Sequence, residues 1–300
     1  MLLSDGYQSY LEFITYERML SEKTVASYQR AINQFLSYLK KQNIINCDQV
    51  SVFWVRRYLA EMHYSKLKSR SIAQKISSLR NWFQFLAQKN IVPANPFNGI
   101  KTPKLEKHLP KTLEVDEINV LLDKMPSDDF LSCRDKTIME LFYSSGIRLS
   151  ELQAVQFNDL SISDSSIRVT GKGSKTRIVP IGSKALKLIK KWLTFRKSYT
   201  DEDETALFIT ESGLPLKHRS IQSRIAEWGI KLGATSRLHP HKFRHSCASH
   251  FLESSSDLRA VQELLGHADL STTQIYTHLD FQHLARVYDS AHPRAKKKDE

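Results

Sequence analysis

Residues 239–283 read HPHKFRHSCASHFLESSSDLRAVQELLGHADLSTTQIYTHLDFQH, and the rest of the chain is organised around them. Pro240 suits the first turn of a helix, which Ser246, Ala248, Phe251 and Leu252 carry onward. Asp257 is placed to cap a second helix whose Leu258, Val261, Leu264 and Leu265 make one apolar face, with Gly266 ending it. Ser271 then caps a short segment carrying Tyr276. The polar residues of the stretch suit a phosphate-sized anion. Arg244 offers a planar fork of donors, His241 and His267 exchange protons near neutral pH, and Tyr276 is either packing or a nucleophile. His239, His241 and His245 also form an H-x-H-x3-H string of the kind that binds zinc. Lys242 and Arg244 beside it repel a cation, and no H-E-x-x-H or Cys cluster accompanies it.

The 300-residue chain has room for two cores. Lys plus Arg exceed Asp plus Glu by 44 − 32 = 12, which favours an anionic partner. Residues 1–110 hold 16 basic and 7 acidic residues, net +9, leaving 28 − 25 = +3 for residues 111–300. Nucleic acid or an anionic membrane surface fits such an excess. No run of apolar residues is long enough to span a bilayer and no signal peptide is apparent, so a soluble intracellular protein is expected. Cys47, Cys133 and Cys247 are scattered, which fits a reducing compartment.

The first part of the chain reads as helices: residues 7–20, a segment with Val25, Tyr28, Ile32, Phe35, Leu36 and Leu39 on one face begun by Ser21 and Thr24, then residues 52–62 and 72–87. Between the last two lies Ser65-Lys66-Leu67-Lys68-Ser69-Arg70-Ser71, in which Lys66, Lys68 and Arg70 suit a nucleic-acid backbone and carry little base-reading capacity. From Pro93 to Lys111, four prolines alternate with lysines that include Lys101 and Lys104. Dense proline makes an extended spacer. Its lysines suit a DNA backbone. Beyond it, helices are expected over 115–125, 134–145, 184–196 and 219–232. Strands over 167–170 and 177–181 flank a hairpin turn, Gly171-Lys172-Gly173-Ser174-Lys175. The G-x-x-x-x-G-K-[ST] spacing of an ATP loop is missing.

H-x-x-R, then L-G-H, then Tyr nine residues later resembles the tyrosine recombinase (phage-integrase-like) family. Gly146-Ile147-Arg148-Leu149-Ser150-Glu151-Leu152 resembles that family's first arginine box, and the 171–175 turn its β-hairpin lysine. Within the family the likeness is greatest to bacterial chromosome-dimer resolvases. The resemblance implies a mainly α protein with a small β-sheet in the catalytic domain. It implies a helical core-binding domain over 1–92, a Pro/Lys-rich linker over 93–111 and a catalytic domain over 112–300, whose last segment, about 279–300, is exchanged between protomers. It implies Arg148, Lys172, His241, Arg244, His267 and Tyr276 as catalytic residues, with Tyr276 the nucleophile that forms a 3′-phosphotyrosine, and Lys175 and Arg177 as backbone contacts. It implies no metal or ATP cofactor. The implied partners are double-stranded DNA, a paralogous recombinase in a cyclic heterotetramer on two sites, and a septum-linked DNA translocase. An integrase of a phage or transposon, a type IB topoisomerase-like nicking-closing enzyme, and a non-enzymatic DNA-binding protein are the competing readings.

Overall fold

The computed structural model describes residues 1–102, 112–171, 175–201, 203–266 and 278–295, without the side chains of 278–280 and 282. They divide into two units, one up to residue 102 and one from residue 112. The fold is mainly helical, with one small sheet.

The first unit holds α1 (Leu3–Glu12), which runs into a π-helical turn (Phe13–Glu17), α2 (Glu22–Lys41), α3 (Val52–Tyr64) and α4 (Ser69–Gln88). Ser21 caps α2, its hydroxyl accepting from the Thr24 N–H at 3.4 Å. The apolar stripe read on α2 faces inward: Ile32, Phe35 and Leu39 are fully buried against Ile76, Leu79 and Phe83 of α4. Ser69 to Ser71 form the first turn of α4 and do not belong to a loop, with Lys68 at its N-cap.

The expected spacer begins too early at Pro93. Val92, Phe97 and Ile100 are buried in the first core. Arg80 donates to the carbonyls of Phe97 at 3.4 Å and Ile100 at 2.9 Å, and Asn95 donates to the Arg80 carbonyl at 2.9 Å. Prolines stop the helix here, but the apolar residues between them still pack, so this part of the segment belongs to the unit.

The second unit opens with α5 (Val115–Lys124) and α6 (Phe130–Ser145). The short α7 (Leu149–Ala154) follows, then an antiparallel sheet of β1 (Leu160–Ser161), β2 (Ser166–Thr170) and β3 (Thr176–Pro180) in that order. Ile167 pairs with Val179 and Thr170 with Thr176, so β2 and β3 form the expected hairpin. Then come α8 (Ser183–Lys197), α9 (His218–Lys231), α10 (Pro240–Ser255), α11 (Leu258–Leu265) and α12 (His278–Ala291). Helix α6 is buried nearly all round and is the axis on which α8 and α10 pack.

The terminal segment lies on its own unit. Leu284 and Tyr288 are fully buried beside α10, α11 and β3. Arg294, 1% exposed, closes a bidentate pair with Glu140 of α6 at 2.6 and 2.8 Å and also reaches Asp123 and Asn119. In the single chain, residues 281–295 thus complete a core in cis. Burying an aromatic face and an ion pair satisfies the segment locally in the single chain.

Candidate active site

Arg148 follows a helix end that only glycine makes easily. Gly146 caps α6 in the left-handed region at φ 56°, and a Cβ there would stand 3.0 Å from Leu265 Cδ2 and 3.2 Å from Cys247 Sγ. The chain then turns into α7, and the Arg148 N–H donates to Glu151 Oε2 at 2.7 Å. The Arg148 guanidinium pairs with Glu151 Oε1 at 2.8 Å while its side chain stays 36% exposed. The guanidinium is thus held on Glu151 while part of it stays at the surface.

Helix α10 brings the H-x-x-R pair. His239 is its N-cap, with Nδ1 accepting from the Lys242 N–H at 3.1 Å, and Pro240 fills the first helical position. His241 is therefore exposed on the first turn, and Arg244 follows one turn later at 9% exposure. This use of His239 as a cap takes one nitrogen out of the H-x-H-x3-H string.

The two arginines meet at the C-terminus of α11. A helix end leaves its last carbonyls unpaired and carries partial negative charge. Here three successive carbonyls are each taken by a different guanidinium. Arg177 donates from Nε to Leu264 at 3.1 Å, Arg244 from Nη2 to Leu265 at 2.7 Å, and Arg148 from Nη2 to Gly266 at 3.2 Å. Arg244 also donates from Nη1 to the Gly146 carbonyl, which ties the two boxes together. Asp257 caps the other end of α11, accepting from the Ala260 N–H at 2.9 Å.

Arg177 is not a DNA-backbone contact, as the sequence suggested. It is 6% exposed and makes a bidentate pair with Glu151 at 2.8 and 3.0 Å. Three of its five N–H donors are turned inward, and so buried a guanidinium presents little surface to a phosphate. The pairing joins residues 26 positions apart and leaves no local pattern. The L-L-G end of α11 did carry a signal, since a glycine-capped helix implies free carbonyls close by.

The electrostatics follow from this packing. Burial pushes the Glu151 carboxyl up, but the hydrogen bonds and charge of Arg177, then those of Arg148, outweigh it and hold the group at about 2. Burial and the neighbouring Arg148 and Arg177 lower Arg244 to about 10, which leaves it protonated at neutral pH. His241, though exposed as a residue, is lowered first by partial desolvation and then by His245, Arg244 and Arg148, so its neutral imidazole prevails at pH 7. The described site combines three guanidiniums, one carboxylate and a neutral imidazole.

Of the other expected site residues, Lys172, His267, Tyr276 and Lys104 lie outside the described residues. Gly171 and Gly266, next to two of them, are described. Gly171 donates to the Lys175 carbonyl at 2.8 Å, closing the hairpin base beside Glu151, and Gly266 caps α11. Lys66, Lys68, Arg70, Lys101 and Lys175 are all exposed.

The family model described as "Phage integrase family" matches residues 111–283, and "Phage integrase, N-terminal SAM-like domain" matches residues 7–90. Curated relatives include tyrosine recombinase XerC of Haemophilus ducreyi, 47% identical over 293 residues, 98% of this chain and 96% of that protein. The protein of that name from Proteus mirabilis is 47% identical over 298 residues, 98% of this chain and 96% of the relative. Two solved structures share the fold. One is XerH site-specific recombinase bound to a palindromic difH substrate, with TM-score 0.71, 22% identity, and 88% and 79% of the two chains covered. The other is a lambda integrase (75–356) dimer bound to a COC′ core site, with TM-score 0.70, 18% identity, and 92% and 100% covered.

Proposed function

This chain belongs to the phage integrase family and is a tyrosine site-specific recombinase, and from that premise we propose how its own residues perform the reaction and where it acts. The observation that carries the assignment is the convergence of Arg148 and Arg244, far apart in sequence, on neighbouring carbonyls of one helix end. They clamp the scissile phosphate there, each with part of its guanidinium fixed before DNA arrives. Preorganised donors aimed at developing charge are the strongest single source of transition-state stabilisation.

Tyr276 attacks the phosphorus. Its oxygen forms the new P–O bond while the bond to the 5′ oxygen breaks, leaving a 3′-phosphotyrosine and a free 5′-hydroxyl. Lys172 supplies the proton to that leaving oxygen. His241, neutral at pH 7, takes the phenol proton, and His267 donates a hydrogen bond to a phosphate oxygen. The covalent bond conserves the phosphodiester's energy, so a 5′-hydroxyl of another strand reseals it without a nucleotide cofactor. The positive charge of Arg148 and Arg244 does for the pentavalent phosphate what a divalent metal does elsewhere.

The biological reading is resolution of chromosome dimers at a dif-like site, in the cytoplasm and on the nucleoid. A XerD-like paralogue completes a cyclic heterotetramer on two DNA sites, and a septum-linked translocase triggers exchange. The near full-length likeness to proteins named tyrosine recombinase XerC supports this. No described helix is long and apolar enough to cross a membrane. On the first unit, Lys66, Lys68 and Arg70 at the start of α4, with Lys101 and Lys104, follow the DNA backbone, as Lys175 does on the hairpin.

A nicked suicide substrate carrying a dif-like site tests the assignment. It should trap an SDS-stable complex with a liberated 5′-hydroxyl, and the modified peptide should contain Tyr276. Recombinant junctions from a two-site substrate distinguish strand exchange from simple nicking and closing. Binding with no adduct at any site would leave only a DNA-binding role.

Two further results are expected. Arg148→Ala and Arg244→Ala each lose about 3–4 kcal/mol of transition-state stabilisation, a hundredfold or more in single-turnover cleavage, with site affinity little changed. An affinity loss as large as the rate loss would make them ordinary phosphate contacts. Lys172→Ala should be rescued by a substrate with a 5′-bridging sulfur, which leaves without a proton. Rescue that is equal for the Arg148 variant would count against Lys172 as the acid.

A further inference from the structure

Arg177 sits where three parts of the site meet. On one side its Nη1 and Nη2 take both oxygens of Glu151, the carboxylate that also holds Arg148. On another, its Nε donates to the Leu264 carbonyl beside the carbonyls held by Arg244 and Arg148. Its own backbone is in β3, two residues after the Lys175 that closes the hairpin, and pairs with Val169 of β2. It also packs under the glycine that ends α11: a Cβ on Gly266 would lie 2.9 Å from Arg177 Cδ and 3.0 Å from its Nε. Gly266 adopts φ 61°, so the conformation and the contact both demand glycine in the L-G-H motif.

We infer that Arg177 is a positioning residue of the recombinase: it fixes the Arg148–Glu151 pair and the C-terminal turn of α11 against the base of the β2–β3 hairpin, and through them holds the phosphate clamp in its reactive geometry. This rests on the proposed use of Arg148 and Arg244 as that clamp. The chemistry requires arginine. A carboxylate taken by two parallel N–H bonds with a third donor aimed sideways at a carbonyl uses the planar fork, and a lysine ammonium offers no such plane. Without Arg177 the Glu151 carboxylate keeps only its local contacts to the backbone N–H and guanidinium of Arg148, and the tie from that pair to the β2–β3 hairpin and to the Leu264 carbonyl is lost. A displacement of about 1 Å in a catalytic group costs on the order of a hundredfold in rate. Because Arg177 is buried, its removal takes nothing from the DNA-contacting surface.

The test compares wild type, Arg177→Lys and Arg177→Gln on the suicide substrate, reading DNA affinity against salt, single-turnover cleavage at saturating DNA, and cleavage against pH. Loss of adduct in Tyr276→Phe is the condition for reading the rest. An adduct surviving there refutes the site assignment and not the role of Arg177. The expected result is an unchanged salt slope and cleavage slowed about a hundredfold in Arg177→Gln, less in Arg177→Lys. Arg177→Gln should also gain an acidic limb in its pH profile: Glu151 loses the partner that most opposes its burial, and its carboxyl rises and protonates on the acid side of neutrality. A salt slope reduced by about one would make Arg177 a phosphate contact and overturn the inference. So would cleavage at the wild-type rate and with the wild-type pH profile below the variants' melting temperature, since only a structural role would remain. If neither variant folds, Gly266→Ala, which keeps Arg177 and pushes on it, must slow cleavage at least about tenfold at unchanged affinity. A wild-type rate in Gly266→Ala would again overturn it.

Discussion

Tyr276→Phe is expected to bind a recombination site as tightly as wild type and to form no covalent DNA adduct at all. The change removes one oxygen, the nucleophile of the proposed mechanism. A tyrosine ordinarily titrates near pH 10, about three units above neutrality, so freeing its phenolate at pH 7 costs about 4 kcal/mol. In the proposed mechanism the clamp of Arg148 and Arg244 offsets this by stabilising the phenolate and the pentavalent phosphate together, and His241, lowered by partial desolvation and its cationic neighbours, accepts the proton. Neither tyrosine in the described core of the second unit is placed to substitute. Tyr143 is fully buried with its hydroxyl 2.9 Å from His250 Nδ1, and Tyr288 is fully buried against His292. Burial raises both phenols above their ordinary range. An SDS-stable band persisting in Tyr276→Phe would sink the assignment and move the search to a residue outside these two.

Much of this site was visible in local pattern. The 3.6-residue stripe of α2, the Ser21 and Asp257 caps, the Gly266 stop and the strand–turn–strand around Lys172 each depend on residues within a few positions of one another. The motif residues Arg148, His241 and Arg244 were found by resemblance, and the structure supplies the reason they cooperate: the shared end of α11. What the sequence did not disclose depends on distance along the chain. Arg177 meets Glu151 from 26 positions away and Leu264 from 87, so its charge alone suggested a surface contact. The proline-rich segment after Val92 looked like free spacer because composition says nothing of Phe97 filling a hole in the first core. Arg294, in the tail just before a run of lysines, is among the most buried side chains of the second unit, because its partners Glu140 and Asp123 lie far back in the chain.

That tail carries the second large effect. Arg294→Ala is expected to destabilise the second unit by about 3–5 kcal/mol, because it strands a buried carboxylate. Glu140 has no exposed surface and Arg294 almost none, and the two share hydrogen bonds of 2.6 and 2.8 Å. Asp123, the other partner, is 57% exposed and counts for little. For a unit of this size the melting transition should fall by roughly 10 °C. The double variant Arg294→Met, Glu140→Leu should recover most of the loss, since a matched apolar pair leaves no charge behind. Thermal melts of the two single variants and the double variant form the cycle. A melting point for Arg294→Ala within a degree or two of wild type would show that the tail is not anchored on α6 and is available to a neighbouring protomer.

Among the described residues, three guanidiniums and one carboxylate share the end of α11, an excess of like charge within the fold. Arg244, drawn down to about 10 first by burial and then by Arg148 and Arg177, registers part of that repulsion. A bound phosphodiester supplies the missing anion. Folding and phosphate binding are therefore expected to be thermodynamically linked through this cluster, since an anion placed among the three guanidiniums offsets their repulsion and stabilises the fold that holds them.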